Sequence, residues 1–191
     1  MILTDREIKI AIHRGLIRIQ PPPEEICFSS TAVDLTLDPT ITIFNDHPPG
    51  VDTSIDPCQE GFNSEDAVAS LSQTHTMKES GYLLRPNRLT LAWTREFIAL
   101  RTETRLAARV EGKSSLARLG LAIHMTAPTI HSGFEGPIRL EIINYGIVPI
   151  RLRAGMRICQ LILETTLGTP ERGYSGQFYR QVPTRKRRRV S

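Results

Sequence analysis

Apolar and polar residues alternate along several short segments of this chain. Val33, Leu35 and Leu37 form the first alternating row, and three similar rows follow it. Successive side chains of a β-strand point to opposite faces, so each row predicts one apolar face of a strand. Proline and glycine separate the rows, which predicts a mainly β fold built as an antiparallel barrel or sandwich. The later rows are Leu89, Leu91 and Trp93, then Ile138, Leu140 and Ile142, then Ile150 and Leu152.

Helical patterns occur in two short segments. Thr4 and Glu7 have the spacing of a capping box, in which Thr4 accepts a hydrogen bond from the Glu7 N–H and Glu7 reaches back to the cap. Gly15 is expected to end this first helix. Residues 114–119 predict a second, very short helix. The apolar face of the first helix would consist of Ile8, Ala11 and Ile12.

The length of 191 residues suits a single domain with a sizeable core. We assign residues 1–181 to this domain and residues 182–191 to a flexible basic tail. Residues 45–80 are polar and contain few periodic apolar positions. They are predicted to form a long surface excursion, to which we assign no chemistry.

Several classes of protein are disfavoured by the sequence. No apolar run approaches the roughly 20 residues of a membrane-spanning helix, and the first residues lack the regions of a secretion signal. We therefore expect a cytoplasmic protein without a membrane partner. Cys27, Cys58 and Cys159 are odd in number and widely spaced, which favours neither a disulfide framework nor a Cys-x-x-Cys zinc site.

Positive charge is concentrated at the end of the chain. The net charge is +4, and the five basic residues at 185–189 account for more than all of it. Such a cluster can contact nucleic acid. More often it is a solvated, flexible end, so nucleic acid is not the partner that we expect.

The segment Gly112–Gly120 contains groups that bind phosphate. A glycine lets the backbone approach a ligand closely, Ser114 and Ser115 add hydroxyl groups, and Lys113 adds a positive charge. The segment is not a P-loop, because Ala107 occupies the position where that motif requires glycine. An ordinary Gly-Ser turn beside a short helix is the alternative, so the surrounding sequence must decide.

This segment and several others resemble the dCTP deaminase branch of the dUTPase superfamily. The matching stretches occur in the family's order over nearly the whole chain, apart from residues 46–79 and the last few residues. The resemblance implies a distorted β jelly roll, a homotrimer with active sites between subunits, and a hydrolase of C–N bonds that converts dCTP to dUTP and ammonia for thymidine nucleotide synthesis. The stretches are residues 3–8, 33–37, 84–86, 91–94, 112–121, 124–127, 133–136, 140–141 and 155–161.

Glu141 is the catalytic residue that the resemblance implies. Its parity is opposite to that of the apolar row in the same strand, so it points away from that row. An outward Glu is usually a solvated surface residue. At this motif position it would instead carry protons while water attacks C4 of cytosine, with a pKa raised by partial burial. The resemblance also implies that Ser114 orients the water and that Arg118 stabilises negative charge or holds Glu141, although a structural ion pair is the alternative for Arg118.

The resemblance further assigns residues to substrate binding. Ala127 would contact the base through its backbone, and Tyr174 would belong to a C-terminal lid, at about residues 165–181, that meets the triphosphate. Two positions depart from the family pattern. His131 replaces an acidic residue, which disfavours a dUTPase, and Gln177 replaces a lysine. The full set is Lys113, Ser115, Thr126, Ala127, His131, Tyr174, Gln177 and Gln181.

Zinc is the common activator of water in nucleobase deaminases, through His-x-Glu and Pro-Cys-x-x-Cys motifs. The sequence contains neither motif, so we expect no zinc and no metal held by the protein itself. Mg²⁺ is expected with the substrate triphosphate. The resemblance also implies dTTP as a possible feedback inhibitor. His124 is predicted to be a packed, structural histidine.

Two other functions remain as alternatives. The same scaffold could release pyrophosphate, either from dUTP or together with deamination to give dUMP. A different class is a non-catalytic nucleotide- or nucleic-acid-binding protein that uses the arginine-rich tail. That class is disfavoured, because binding alone does not need Glu141, Ser114 and Arg118 together.

Overall fold

The computed structural model describes residues 1–46, 54–176 and 183 of the chain. These residues form a mainly β structure with few and short helices, as the sequence predicts. The α-helices are α1 (Asp5–His13), α2 (Ser64–Leu71) and α3 (Ser114–Ala117), and the 3-10 turns are Glu25–Cys27 and Thr102–Thr104. The strands are β1 (Ile17–Gln20), β2 (Phe28–Ser29), β3 (Ala32–Phe44), β4 (Ser72–Thr76), β5 (Tyr82–Leu84), β6 (Leu89–Leu100), β7 (Leu106–Gly112), β8 (Leu121–Ala122), β9 (Thr129–Ile130), β10 (Glu135–Asn144), β11 (Ile150–Leu152) and β12 (Arg157–Thr165).

Ten of these strands form one curled antiparallel sheet in the order β8–β10–β6–β3–β12–β7–β9. In addition, β1 pairs with β6, β2 and β4 pair with β3, and β5 and β11 form a separate two-stranded sheet. Strand β3 pairs with different strands along its length: residues 33–36 pair with β12, and Leu37 and residues 41–43 pair with β6. The register shifts between Leu37 and Ile41, and irregularities of this kind bend a strand.

The core contains the predicted apolar rows of β3 and β10, whereas β6 differs from its prediction. Leu91 and Trp93 are buried, but the residues of β6 that join the main core are Ala92, Ile98 and Leu100. The pairing explains the difference, because Leu91 lies opposite Glu141 and Trp93 lies opposite Arg139 in β10. Directly opposed residues share a face of the sheet. The apolar row of β6 therefore lies on the same face as Glu141.

Helix α1 begins and ends near the predicted positions, but its cap differs. The hydroxyl group of Thr4 donates to the carboxylate of Glu7, and the Thr4 side chain does not accept a hydrogen bond from a backbone N–H of the helix. The predicted bond from the Glu7 N–H to the Thr4 hydroxyl is therefore wrong, whereas a backbone hydrogen bond from Thr4 to the Glu7 carboxylate agrees with the other half of the capping box. Gly15 has φ +68° and the Leu16 N–H donates to the Ala11 carbonyl, which confirms the predicted glycine stop.

The polar excursion at residues 45–80 contains regular structure in its second half. Asn63 begins α2 by accepting hydrogen bonds from the N–H groups of Glu65 and Asp66. Strand β4 then pairs with β3, and the hydroxyl groups of Thr42 and Thr74 lie 3.0 Å apart across this pairing. The excursion is thus attached to the sheet that carries Glu141. Its Pro-Pro-Gly sequence at residues 48–50 lies outside the described residues.

None of the helices within residues 1–46 and 54–176 has the length and apolar character needed to span a membrane. Cys27, Cys58 and Cys159 are free thiols. The basic cluster at 185–189 lies outside the residues that the structure describes.

Candidate active site

A cavity of about 300 Å³ lies beside β10, and Glu141 is part of its wall. Strand β10 alternates between buried and partly buried residues along its whole length, which places Glu141 on the face opposite to Leu140 and Ile142. The orientation predicted from parity is therefore correct. The ionisable residues in the wall of the cavity are His124, His131, Arg139, Glu141 and Tyr174.

The carboxyl group of Glu141 lies in a partly dehydrated environment. Its direct neighbour on β6 is the buried Leu91, and Trp93 follows on the same face. Burial raises the pKa of Glu141 above its usual value, while backbone hydrogen bonds from Met125 and from Glu141 itself, and the charges of His124 and Arg139, oppose this rise. A carboxyl group with a raised pKa can both accept and donate a proton near neutral pH.

His124 is half-buried and lies in the wall of the cavity. Its Nε2 is 3.6 Å from a carboxylate oxygen of Glu111 on β7. Its Nδ1 is buried and has no hydrogen-bond partner among the described residues. An unpaired buried nitrogen is costly unless a ligand or a water molecule satisfies it. The sequence singled out residues 124–127 as a stretch similar to the family, but it predicted only a structural role for His124.

Arg139 lies in the same wall, two residues before Glu141 on the same face of β10. Its Nη1 donates to both carboxylate oxygens of Glu65 in α2, at 2.7 and 2.6 Å. Its guanidinium carbon also lies 5.3 Å from the centre of the Trp93 ring. Sequence reasoning missed Arg139, since its partner is 74 residues away in the polar excursion.

His131 and Tyr174 form a stacked pair at the edge of the cavity. Their ring centres are 5.3 Å apart and the rings are inclined by 14°. The Tyr174 N–H donates to the Ser132 carbonyl, and Gly133 lies close beneath the same segment. A Cβ at Gly133, whose φ is +89°, would lie 2.6 Å from the Tyr174 nitrogen. The chain therefore requires glycine here in order to bring Tyr174 to the cavity.

The phosphate-binding candidates on α3 lie apart from this cavity within the chain. Ser114, Ser115 and Arg118 are exposed, and they are absent from the wall around Glu141. Lys113, in contrast, is partly buried. Its Nζ lies 2.6 and 2.5 Å from the two carboxylate oxygens of the buried Asp34. This ion pair fixes the start of α3 to β3.

Residues 2–166 match the family model described as dCTP deaminase-like. The chain belongs to the dCTP deaminase-like family. The matched range includes the sheet, α3 and all of β10, so it covers the motif that contains Ser114 and the strand that contains Glu141.

Two relatives of this dCTP deaminase-like protein illustrate the names found in the family. A protein from Methanothermobacter thermautotrophicus named "dCTP deaminase, dUMP-forming" is 38% identical over 176 residues, which cover 91% of this chain and 83% of the relative. A protein from Shewanella amazonensis named "dCTP deaminase" is 38% identical over 176 residues, which cover 92% of this chain and 89% of the relative. The two names differ in whether dUMP is given as the product.

Solved structures of similar proteins show the same fold. The 2′-deoxycytidine 5′-triphosphate deaminase from Agrobacterium tumefaciens matches with a TM-score of 0.64 and 22% identity, over 86% of this chain and 48% of that chain. This chain therefore spans about half the length of that protein. A mutant dUTPase from phage phi11 of S. aureus matches with a TM-score of 0.50 and 10% identity, over 84% of this chain and 97% of that chain.

Apart from Lys113 and Ser115 in the α3 segment, the substrate-binding residues predicted for this dCTP deaminase-like protein fall into three groups. Ala127, His131 and Tyr174 line the cavity together with Glu141. Thr126 is exposed beside Ala127 but is not part of the wall. The third group lies outside the described residues and consists of Gln177 and Gln181.

The described residues of this dCTP deaminase-like protein form no cluster of metal ligands. Within residues 1–46 and 54–176, no three His, Cys, Asp or Glu side chains are grouped so that they could hold a metal ion. The ion pairs of the cavity wall instead use arginine, as in Arg139 with Glu65.

Proposed function

We propose that this protein deaminates dCTP by hydrolysis, with the Mg²⁺ complex of dCTP as substrate and dUTP and ammonia as products. The observation that carries the proposal is the partly buried carboxyl group of Glu141, with a raised pKa, in the wall of a cavity in this family's fold. The family match over residues 2–166 and the names of the relatives support the choice of dCTP. Burial without a fixed ion partner is the environment that a proton-transferring carboxylate needs.

The reaction requires several proton movements around one ring carbon. Glu141 accepts a proton from water as the water oxygen bonds to C4 of cytosine, and a proton is delivered to N3. A further proton transferred to the amino group lets ammonia leave as the carbonyl group of uracil forms. The balance is dCTP plus water to dUTP plus ammonia. General acid–base catalysis of this kind contributes about 10²–10⁴ in rate, so positioning and electrostatic stabilisation must supply the remainder.

The cavity also offers groups that would hold the nucleoside. Ala127 would meet the base through its backbone, and His131 could donate a hydrogen bond to the sugar. Tyr174 stacks on His131 and would belong to a C-terminal lid that meets the triphosphate. His124, with its unpaired Nδ1, is a further group that can bind water or the base. The proposal also includes dTTP as a feedback inhibitor and the cytoplasm as the compartment.

We propose further that the complete site needs a second copy of the chain. Ser114 and Arg118, which would orient the water and stabilise negative charge, are exposed and lie apart from the Glu141 cavity of their own chain. In a homotrimer, α3 of one subunit could complete the cavity of its neighbour. A site between subunits would explain why Ser114, Ser115 and Arg118 are exposed in the single chain although the motif assigns them to the active site.

Mixing two inactive variants tests this arrangement. We expect Glu141→Gln and Arg118→Ala each to have little activity alone and to regain activity when unfolded and refolded together. If each site takes Glu141 from one subunit and Arg118 from the next, about one site in four in an equal mixture is intact. Ammonia release from dCTP measures the recovery. A mixture no more active than its components would contradict a shared site.

Product analysis tests the function itself. The protein is incubated with dCTP and Mg²⁺, and ammonia, dUTP, dUMP and pyrophosphate are quantified. We expect ammonia and dUTP in equal amounts without pyrophosphate. Equal amounts of ammonia, dUMP and pyrophosphate would instead establish the second candidate, which the dUMP-forming relatives favour.

The same incubation separates the remaining alternatives. A dUTPase would release pyrophosphate from dUTP and no ammonia from dCTP. A nucleic-acid-binding protein would release neither product, and its affinity for DNA or RNA would fall steeply with salt and depend on residues 185–189. Either result would overturn the proposed deamination.

A further inference from the structure

The ion pair between Glu65 and Arg139 joins the polar excursion to the wall of the Glu141 cavity. Arg139 belongs to β10 and faces the cavity, whereas Glu65 belongs to the first turn of α2. One guanidinium nitrogen donates to both carboxylate oxygens, at 2.7 and 2.6 Å. The excursion, for which no chemistry is predicted from the sequence, therefore reaches a residue beside the carboxyl group proposed for proton transfer.

Arg139 is held on two sides and partly removed from water. Glu65 binds one end of the guanidinium group, and the buried Trp93, directly opposite on β6, lies beneath it with its centre 5.3 Å away. The side chain of Arg139 is 18% exposed and that of Glu65 is 39% exposed. Salt bridges that are fully exposed contribute little. This pair is more shielded, and the aromatic ring adds a cation–π contact.

The charge of Arg139 matters because few other charges face Glu141. His124 lies in the wall from the segment after β8, and its Nε2 is near the Glu111 carboxylate. His131 and Tyr174 also belong to the wall. The facing residues of β6, Leu91 and Trp93, are apolar. Among the described residues that line the cavity, Arg139 is the one permanent cation.

Arg139 is close enough to bind Glu141 if it is released. Residues two apart in a strand are separated by about 7 Å, and an extended arginine side chain spans that distance. An opposite charge at contact distance would favour the ionised carboxylate and make it a weaker base. Glu65 and Glu141 therefore compete for one guanidinium group, and in this structure Glu65 holds it.

We propose that Glu65 is a positioning residue for the reaction, which binds Arg139 against Trp93 and so prevents it from pairing with Glu141. This role rests on the proposed function, because it assigns Glu65 to the same site. Helix α2 would therefore have a role in the reaction, because its Glu65 neutralises the charge of Arg139 in the cavity wall next to Glu141.

Two substitutions should move the pH dependence in opposite directions. In Glu65→Gln, Arg139 is free to bind Glu141, so the acidic limb of the kcat profile should shift to lower pH by about 1 unit, with kcat reduced about tenfold. In Arg139→Gln, the unpaired Glu65 carboxylate remains nearby, so the limb should shift to higher pH. The double variant should return towards the wild-type profile.

Matched controls separate positioning from folding. Asp66→Asn removes the same charge from the same turn of α2 but from an exposed side chain, and it should leave kcat and its pH profile unchanged. Glu65→Asp keeps the charge and should restore much of the activity. If Glu65→Gln does not fold, Arg139→Gln and the double variant still carry the test. Shifts in the same direction, or no shifts, would overturn the proposal.

A direct titration keeps this inference separate from the proposed function. The carboxyl ¹³C resonance of Glu141, identified by its loss in Glu141→Gln, reports its pKa without turnover. We expect a lower pKa in Glu65→Gln and a higher one in Arg139→Gln. Opposite shifts in a protein that releases no ammonia would overturn the deaminase alone. Ammonia release without opposite shifts would overturn the role of Glu65 alone.

Discussion

Replacing Glu141 with Gln is expected to lower the rate of ammonia release from dCTP by about 10²–10⁴, while dCTP binding is largely retained. Gln has nearly the same size and shape as Glu and can form hydrogen bonds, but it cannot accept and release a proton. The loss should therefore appear in kcat, with a much smaller change in the dissociation constant for dCTP. Single-turnover ammonia assays and equilibrium binding measure the two quantities separately.

The stability of the same variant shows whether chemistry or folding is lost. Burial raises the pKa of Glu141 in the folded protein, so its ionised form opposes folding once the pH exceeds the unfolded-state value, and fully so above the folded value. Gln removes this penalty, and the Glu141→Gln variant should be at least as stable as the wild type at about pH 8. Glu79→Gln, at an exposed turn, serves as the matched control for activity. Normal turnover by Glu141→Gln would show that another group transfers the proton.

Asp34→Asn is expected to lower the free energy of unfolding by about 3 kcal/mol and also to lower activity. Asp34 is 7% exposed, and its carboxylate binds Lys113 at 2.5 Å and Arg157 at 3.3 Å. In the Asp34→Asn variant, the neutral side chain amide would leave Lys113 and Arg157 without their counter-charge. Because Lys113 immediately precedes α3, the start of that helix would also lose its attachment, and Ser114 would move.

Denaturant unfolding and kcat measure the two effects of Asp34→Asn. Asp46→Asn is the matched control, since Asp46 pairs with Arg88 on the surface and is 76% exposed. Exposed pairs of this kind contribute less than about 1 kcal/mol, so the control should be nearly unchanged. An Asp34→Asn protein with the stability and activity of the wild type would show that Lys113 is not needed to hold α3.

The sequence predicted those features of the candidate site that local geometry determines. Strand parity sufficed to place Glu141 opposite to its apolar row, and motif spacing singled out the α3 segment. Parity could not tell which face of β6 meets the core, because that depends on the pairing of Leu91 with Glu141 across two strands. The alternation of Leu91 and Trp93 predicted that both residues belong to the main core. They lie instead on the opposite face of the sheet, next to the Glu141 carboxyl group.

Contacts between distant segments were beyond the reach of sequence patterns. Glu65 and Arg139 are 74 residues apart, and Asp34 and Lys113 are 79 residues apart. Neither pair has a spacing that a helix or a hairpin would impose. Lys113 therefore looked like a free phosphate ligand, because nothing in its neighbourhood in the sequence indicated that a buried aspartate would bind it.

The change of partners along β3 links the two halves of the proposed composite site. One end of this strand carries Asp34, which anchors α3, and the other end carries Thr42, in line with Leu91 and Glu141. In the proposed ring, each subunit would host one reaction centre and lend groups to the next. A substitution that distorts β3 would then inactivate two active sites for every altered subunit. Alleles of this kind should therefore behave as dominant negatives when altered and wild-type subunits assemble together.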